Sequence, residues 1–116
     1  MFTAVGPDES PVGFAAATPV GGFLHLAELS VDPAHGRVGV GRALIEAVVG
    51  LARRSGLAGV TLTTFRDVPF NAPFYAGLGF AEMPLAEAPD ALRRQFHAEL
   101  PPHSAVEARI LMLRPC

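Results

Sequence analysis

The feature that most constrains the fold is a strand–turn–helix–strand unit in the first half of the chain. The apolar run FLHLAELSV (Phe23 to Val31) predicts a strand, and Asp32-Pro33 ends it because proline has no N–H for a ladder. From Gly39 to Ser55 the apolar residues recur at helical spacing, and GVTLTTF (Gly59 to Phe65) predicts a second strand. Such a unit favours a right-handed crossover between parallel strands.

The helix of this unit carries a single apolar stripe, with its charged residues largely off the stripe. The stripe consists of Leu44, Ile45, Val48, Val49 and Ala52. Arg53 and Arg54 lie in the last turn, where cations suit the helix dipole, and Gly56 is placed to follow the helix end. The stripe therefore predicts which face of the helix packs on the sheet.

Shorter elements precede and follow the unit. Two strands, Phe2 to Val5 and Val12 to Ala17, are separated by the turn cluster GPDESP. After the unit we predict a short helix around Pro73 to Leu78, a strand near Phe80 to Met83, one helix within APDALRRQFHAELPP, and a last strand from Glu107 to Pro115. Together these elements predict one domain over residues 1–116 of the α+β class, with a mixed sheet.

Composition narrows the classes of function. The chain has 116 residues, of which 50% are hydrophobic and 17% charged, so a packed core is expected. A formal charge of −2 provides no electrostatic footprint for nucleic acid. No lysine is present, which excludes Schiff-base chemistry and a P-loop lysine. The single cysteine is Cys116, and neither a signal peptide nor an apolar span is apparent, so we expect a cytoplasmic protein with no membrane partner.

The stretch HGRVGVGRAL (His35 to Leu44) is a glycine-rich turn that opens the helix. A dinucleotide fingerprint starting at Gly39 would end on Leu44, and a Walker A loop requires lysine, so neither fits. Successive backbone N–H groups, the helix dipole, Arg37 and Arg42 could instead hold an anion. The alternative is an ordinary turn whose arginines are solvated.

A second motif, NAPFYAGLGF (Asn71 to Phe80), lies one strand downstream. With SVDPAHGRVGVGRAL before it, the chain resembles the GNAT superfamily of N-acetyltransferases, whose core reads V-x-P, then [QR]-x-x-G-x-G-[GA], then Tyr-x-x-Leu-Gly-Phe. The resemblance extends from about Phe2 to Arg114. It departs from the family at Gly36 and Val38, and Asn71 precedes the tyrosine by four residues where seven is commoner.

The resemblance implies a central mixed sheet flanked by helices, here without the family's usual first strand and two helices. It also implies acetyl-CoA as the co-substrate. The coenzyme A pyrophosphate would bind the amides of the helix-opening loop, the pantetheine arm would pair with the preceding strand, and Asn71 would contact that arm. The loop residues are Arg37, Val38, Gly39, Val40, Gly41 and Arg42, and the strand residues are Leu29, Ser30 and Val31.

Acetyl transfer requires that the amine lose its proton, and an acid can protonate the departing thiolate, although coenzyme A thiolate is a tolerable leaving group without one. Tyr75 matches the family's general-acid position; the alternative is a half-buried packing residue. His25 and Glu28 are the candidates for the base, and a water chain is a third alternative. Period 2 places them on opposite faces of their strand, although a bulge would reverse this.

Metal chemistry is not expected, because His35, His97 and His103 lack ligand spacing with cysteine or carboxylates. Two functions stay open. One is an N-acetyltransferase acting on a primary amine of a small molecule, amino acid or protein. The other is a non-catalytic coenzyme A-binding or dimerisation module with an incomplete acceptor site. Relative to the family, the first strand and two helices are missing, so part of the sheet should lack its usual cover. We therefore expect a homodimer in which the partner covers this surface near His25 and Glu28.

Overall fold

Six strands and three α-helices make up the described part of the chain. The computed structural model describes residues 2–5, 11–31, 39–66, 72–100 and 109–116, and of residues 2–5, 11 and 12 only the backbone. In chain order the elements are β1 (Phe2–Val5), β2 (Pro11–Val20), β3 (Phe23–Val31), α1 (Val40–Arg54), β4 (Gly59–Phe65), α2 (Ala72–Ala76), β5 (Ala81–Glu82), α3 (Asp90–Ala98) and β6 (Arg109–Pro115). The strands form one mixed sheet in the order β1-β2-β3-β4-β6-β5.

The strand–helix–strand unit has the predicted form. The bounds of β3 and β4 agree with the sequence prediction, and the two strands pair in parallel. Strand β2 is longer than predicted, because Gly21 and Gly22 (φ 58° and 89°) form a two-residue turn that lets the ladder continue to Val20 and Phe23. The helix predicted around Pro73 ends at Ala76, and β5 is only two residues long.

Helix α1 covers one face of the sheet. All five stripe residues predicted from the sequence are buried. They pack with apolar side chains of β2, β3, β4 and β6, among them Ala15, Leu24, Leu26, Val60, Leu62, Ile110 and Met112. We call this side of the sheet the α1 face.

Helix α3 packs on the opposite side, which we call the α3 face. A smaller apolar cluster there combines Leu92 and Phe96 of α3 with Leu111 of β6, and Val20 and Phe23 pack against it. Since successive side chains of a strand point to opposite faces, Val60 and Leu62 lie on the α1 face, and Thr61 and Thr63 lie on the α3 face.

A β-bulge in β3 decides which of its side chains share a face. Ala16 pairs with Glu28 and Ala17 with Leu26, so Ala27 is an extra residue in β3. Leu24, Leu26, Leu29 and Val31 consequently all pack on the α1 face. Simple period-2 alternation is therefore wrong beyond Leu26, the bulge named as its alternative is present, and His25 and Glu28 share the α3 face.

Strands β3 and β4 separate soon after they meet. Their parallel ladder contains only the pairs Leu24–Val60 and His25–Thr61, although β3 continues to Val31 and β4 to Phe65. The two strands therefore open a wedge, which we call the β3–β4 cleft, with His25 and Thr61 at its vertex. Within the described ranges, no helix has the length and hydropathy of a membrane span.

Candidate active site

The β3–β4 cleft exposes one edge of β3. Leu29, Ser30 and Val31 pair with β2 on one side, but they form no ladder with β4 on the other. Backbone N–H and C=O groups along such an edge can accept a further strand-like partner. All three residues predicted to pair with the pantetheine arm lie on this stretch.

The N-terminus of α1 lies next along the chain from this edge. Gly39 precedes the helix with φ 81°, a left-handed conformation that favours glycine, and a Cβ built on it meets no atom within 4 Å. Neither a side-chain cap nor an acidic residue is present in the first turn, so the N–H groups and the positive end of the dipole are unopposed there by described residues.

The remaining loop residues divide between described and undescribed positions. Arg42 is exposed, and Val40 and Gly41 are half-buried. Gly41 lies close to α2, since a Cβ on it would be 3.4 Å from the ring of Phe74. Arg37, Val38 and Asn71 lie outside the described residues, so their predicted contacts stay predictions.

Tyr75 lies on α2, half-buried against the apolar cluster of the α1 face. Its ring makes edge contacts with Phe74 and Phe80 at centroid distances of 5.2 and 5.7 Å. Its hydroxyl forms no hydrogen bond with any described residue. Burial raises the pKa of the Tyr75 phenol, which keeps it protonated at neutral pH.

The vertex of the cleft contains a buried polar network. His25 is fully buried, and its Nε2 lies 3.0 Å from Oε1 of Glu99, the residue that follows α3. Because a carboxylate only accepts hydrogen bonds, Nε2 carries the proton. Nδ1 lies 3.0 Å from Oγ1 of Thr61, whose hydroxyl donates to it in the neutral imidazole. Both ring nitrogens therefore have partners.

Glu99 is the centre of this network. Thr63 donates to its Oε1 at 2.7 Å and Gln95 to its Oε2 at 3.1 Å, in addition to the bond from His25. Desolvation raises the pKa of the Glu99 carboxyl, but the hydrogen bonds from His25, Thr63 and Gln95 outweigh it, so the net pKa is lowered. Glu99 is thus held as a carboxylate, and its side chain is 22% exposed.

The two candidate bases differ in access. Glu28 is exposed on the α3 face, three residues beyond the vertex, whereas His25 is enclosed with both nitrogens engaged. The structure thus brings His25 and Glu28 to one face, and Tyr75 packs on the other.

Sequence reasoning missed Glu99, Thr61, Thr63 and Arg109. The alternation of threonine in GVTLTTF was a usable signal for polar side chains on one face of β4. Nothing in the sequence pointed to Glu99, which is 74 residues from His25. Among the described residues no group of histidine, cysteine or carboxylates could hold a metal. His97 is exposed, and His35 and His103 lie outside the described residues.

Known proteins resemble this chain in sequence and in fold. A family model described as the acetyltransferase (GNAT) family matches residues 1–80. Mycothiol acetyltransferase of Clavibacter sepedonicus is 49% identical over 55 residues, which are 47% of this chain and 18% of that protein.

Two solved structures illustrate the likeness in fold. Nourseothricin acetyltransferase superposes with a TM-score of 0.73 at 24% identity, over 98% of this chain and 63% of that one. PaiA N-acetyltransferase from Thermoplasma acidophilum, in complex with coenzyme A, superposes with a TM-score of 0.66 at 15% identity, over 96% of this chain and 57% of that one.

The chain spans under a fifth of that curated relative and less than two thirds of these two structures. The structural likeness at these identities concerns the fold alone. The sequence match to the family model covers well over half of the chain, and it includes the glycine-rich turn and the motif around Tyr75. The chain therefore belongs to the GNAT family of acetyltransferases.

Proposed function

We propose that the protein is an N-acetyltransferase that moves an acetyl group from acetyl-CoA to a primary amine of a small molecule, an amino acid or a protein. The observation that carries the proposal is the β3–β4 cleft leading to an uncapped, glycine-opened helix N-terminus. The names of the similar proteins support the reaction class, and one similar structure is a coenzyme A complex.

In this proposal two segments bind coenzyme A. Backbone amides from Arg37 to Arg42 bind the pyrophosphate, where the space beside Gly39 and the dipole of α1 suit a dianion. Leu29 to Val31 pair with the pantetheine arm along their unpaired edge. Asn71 adds a contact to that arm. No metal is needed for this binding.

Three side chains would serve the transfer. When bound, acetyl-CoA supplies an activated thioester: the amine nitrogen bonds to the acetyl carbon, and the carbon–sulfur bond breaks. Glu28, exposed on the α3 face, takes the proton from the amine directly or through water. Tyr75, protonated and without a hydrogen-bond partner among described residues, donates to the departing sulfur. His25 holds the vertex through Thr61 and Glu99 rather than acting as the base.

An acceptor screen tests the reaction. The purified protein is incubated with acetyl-CoA and a panel of amines, amino acids and peptides, and thiol release and acetylated products are measured. We expect product with at least one class of acceptor. Acetyl-CoA binding without any product across the panel would favour the non-catalytic coenzyme A-binding module.

A matched pair of substitutions tests the coenzyme A site. Both asparagine and aspartate tolerate the left-handed backbone of Gly39, but only aspartate adds a negative charge. We expect Gly39→Asp to weaken acetyl-CoA binding at least about tenfold more than Gly39→Asn, measured by calorimetry, because of charge repulsion at the pyrophosphate. Equal affinities in two folded variants would place the pyrophosphate elsewhere.

We also propose a homodimer in which the partner covers the α3 face beside Glu28. Of the described α-helices only α3 packs on this face, at the end marked by Val20 and Phe23. At the other end Phe14 and Ala16 are half-buried and Ala27 is exposed. Burial of such a surface against a second copy would stabilise a small domain. Light scattering at micromolar concentration tests this, and a monodisperse monomer would contradict it.

A further inference from the structure

A cavity of about 330 Å³ lies on the α3 face, beside the end of β4. Apolar side chains, among them Phe96 and Leu111, form part of its wall, and Arg66, Glu82 and Arg109 supply the charged groups. None of these charged residues takes part in the reaction proposed above. A small polar molecule fits a cavity of this size and lining.

Arg109 is the charged group with unused hydrogen-bonding capacity. Its Nη2 donates to Oγ1 of Thr63 at 3.0 Å, and its guanidinium lies 4.7 Å from the ring centroid of Phe65. Its Nε is buried without a hydrogen-bond partner, and no described carboxylate lies within ion-pair distance of it. Because Nε is closed to solvent, a ligand in the cavity would reach the guanidinium through Nη1, which forms no hydrogen bond with a described residue. A carboxylate matches the planar fork of a guanidinium.

The other two charges of the cavity satisfy each other. Arg66 donates from Nη1 and Nη2 to the two carboxylate oxygens of Glu82, each at 3.0 Å. This bidentate pair is exposed at the rim, where the two charges cancel. Among the described residues that line the cavity, Arg109 is therefore the charged group without a direct ion pair, and its guanidinium favours an anion.

A chain of hydrogen bonds leads from Arg109 at the cavity to the vertex of the β3–β4 cleft, whose residues do not themselves line the cavity. The Thr63 hydroxyl that accepts from Arg109 also donates to Glu99, which is bonded to His25. Thr63 and Thr61 lie two residues apart on one face of β4, a spacing of about 7 Å along a strand. An anion on Arg109 would thus lie within a small molecule's length of the vertex, and the Glu99 carboxylate between them attracts an ammonium group.

We propose that this cavity is a carboxylate subsite for the acceptor, and that the acceptor is an amino acid whose carboxylate is bound by Arg109. The inference rests on the proposed acetyl transfer and narrows its substrate class. The amine lies toward Glu99 and the vertex, and the carboxylate accepts hydrogen bonds from the guanidinium of Arg109. Amines of similar size without a carboxylate cannot form these hydrogen bonds with Arg109.

Nuclear magnetic resonance provides a test that does not depend on turnover. Each of the nine arginines has one Nε–Hε group, and the signal of Arg109 is assigned from its loss in Arg109→Lys. N-acetylalanine, N-acetylalaninamide and coenzyme A are each titrated into the protein. We expect the carboxylate to shift the Arg109 signal in a saturable manner, and the amide and coenzyme A to leave it unchanged.

Three results would overturn the subsite. They are no shift with N-acetylalanine, an equal shift with its amide, or a shift with coenzyme A alone. Coenzyme A binding is followed separately by calorimetry, so a protein that binds no coenzyme A but passes this titration would refute the proposed reaction and leave the subsite standing.

A kinetic comparison supplies a second arm. The ratio of kcat/KM for alanine over alaninamide is measured in the wild type, in Arg109→Met and in Arg94→Met, the last a control at an exposed position of α3. We expect the ratio to fall about 10- to 100-fold in Arg109→Met and to stay unchanged in the control. An unchanged ratio in folded Arg109→Met would overturn the proposal.

Discussion

The two faces of the sheet are built from the same strands but differ in chemistry. On the α1 face the buried strand residues are apolar apart from Thr64, and α1 places its whole apolar stripe against them. On the α3 face the same strands present His25, Thr61 and Thr63, and the polar network to Glu99 and Arg109 lies beside a small apolar cluster. The α1 face thus buries apolar surface, whereas the α3 face at the vertex buries a hydrogen-bonded polar network.

The β3–β4 cleft shows how these roles are combined. Helix α1 packs across the strands and closes the α1 face where they diverge, so the wedge is stabilised from that side. The α3 face at the vertex is closed by hydrogen bonds instead. Polar partners buried together in this way hold a defined geometry but contribute less to stability than apolar burial.

The largest expected effect concerns Tyr75, an α1-face residue that we propose as the general acid. Tyr75→Phe retains the ring contacts with Phe74 and Phe80 and removes only the hydroxyl. We expect kcat to fall about 10²–10⁴-fold with little change in acetyl-CoA affinity, because the proton is needed only as the thiolate leaves. Steady-state kinetics and calorimetry measure the two effects. Full activity would show that the α1 face contributes packing alone.

The next largest expected effect is on the free energy of unfolding and concerns packing on the α1 face. Ile45→Ala leaves a cavity at a fully buried position, and we expect a loss of about 2–5 kcal/mol in the free energy of unfolding. Leu51→Ala, at a half-buried position of the same helix, is the control and should cost less. Urea denaturation measures both. Equal losses would mean that the two positions do not differ in burial as the structure indicates.

The network on the α3 face should contribute less. Glu99→Gln replaces an acceptor-only group with one that presents an NH₂, which cannot accept from His25, Thr63 and Gln95 together. We expect a loss of about 1–3 kcal/mol in the free energy of unfolding. Glu87→Gln, at an exposed position, is the control and should be nearly neutral. If Glu99→Gln lost as much free energy of unfolding as Ile45→Ala, the two faces would not differ in their contribution to stability.

The smallest effect is a pH dependence of stability that originates at Glu99. The folded state lowers the pKa of this carboxyl, so its contribution is complete above the unfolded value of about 4.3 and is lost as the pH falls through the lower folded value. We expect wild-type protein to lose more stability than Glu99→Gln between about pH 6 and pH 3. Parallel curves for the two proteins would show that Glu99 contributes nothing to this dependence.

Local patterns predicted the elements of the fold well. The stripe of α1 and the bounds of β3 and β4 follow from periodicity, because an amphipathic helix and an alternating strand each record their buried face in the sequence. The assignment of faces in β3 failed beyond Leu26, because a bulge inserts one residue and shifts the alternation. Strand β2 was predicted too short, since the turn at Gly21 and Gly22 extends its ladder.

By itself the sequence determined the strand–helix–strand unit, the glycine-rich helix opening and the motif around Tyr75, since each is encoded over a few neighbouring residues. Tertiary structure alone decided that His25, Thr61 and Glu99 meet at the vertex of the cleft and that Arg109 reaches the same network through Thr63. These contacts join residues 36 to 74 positions apart. Local periodicity does not encode contacts between residues so far apart in the sequence. These contacts form only when the sheet order and the packing of α3 bring the strands and the helix end together.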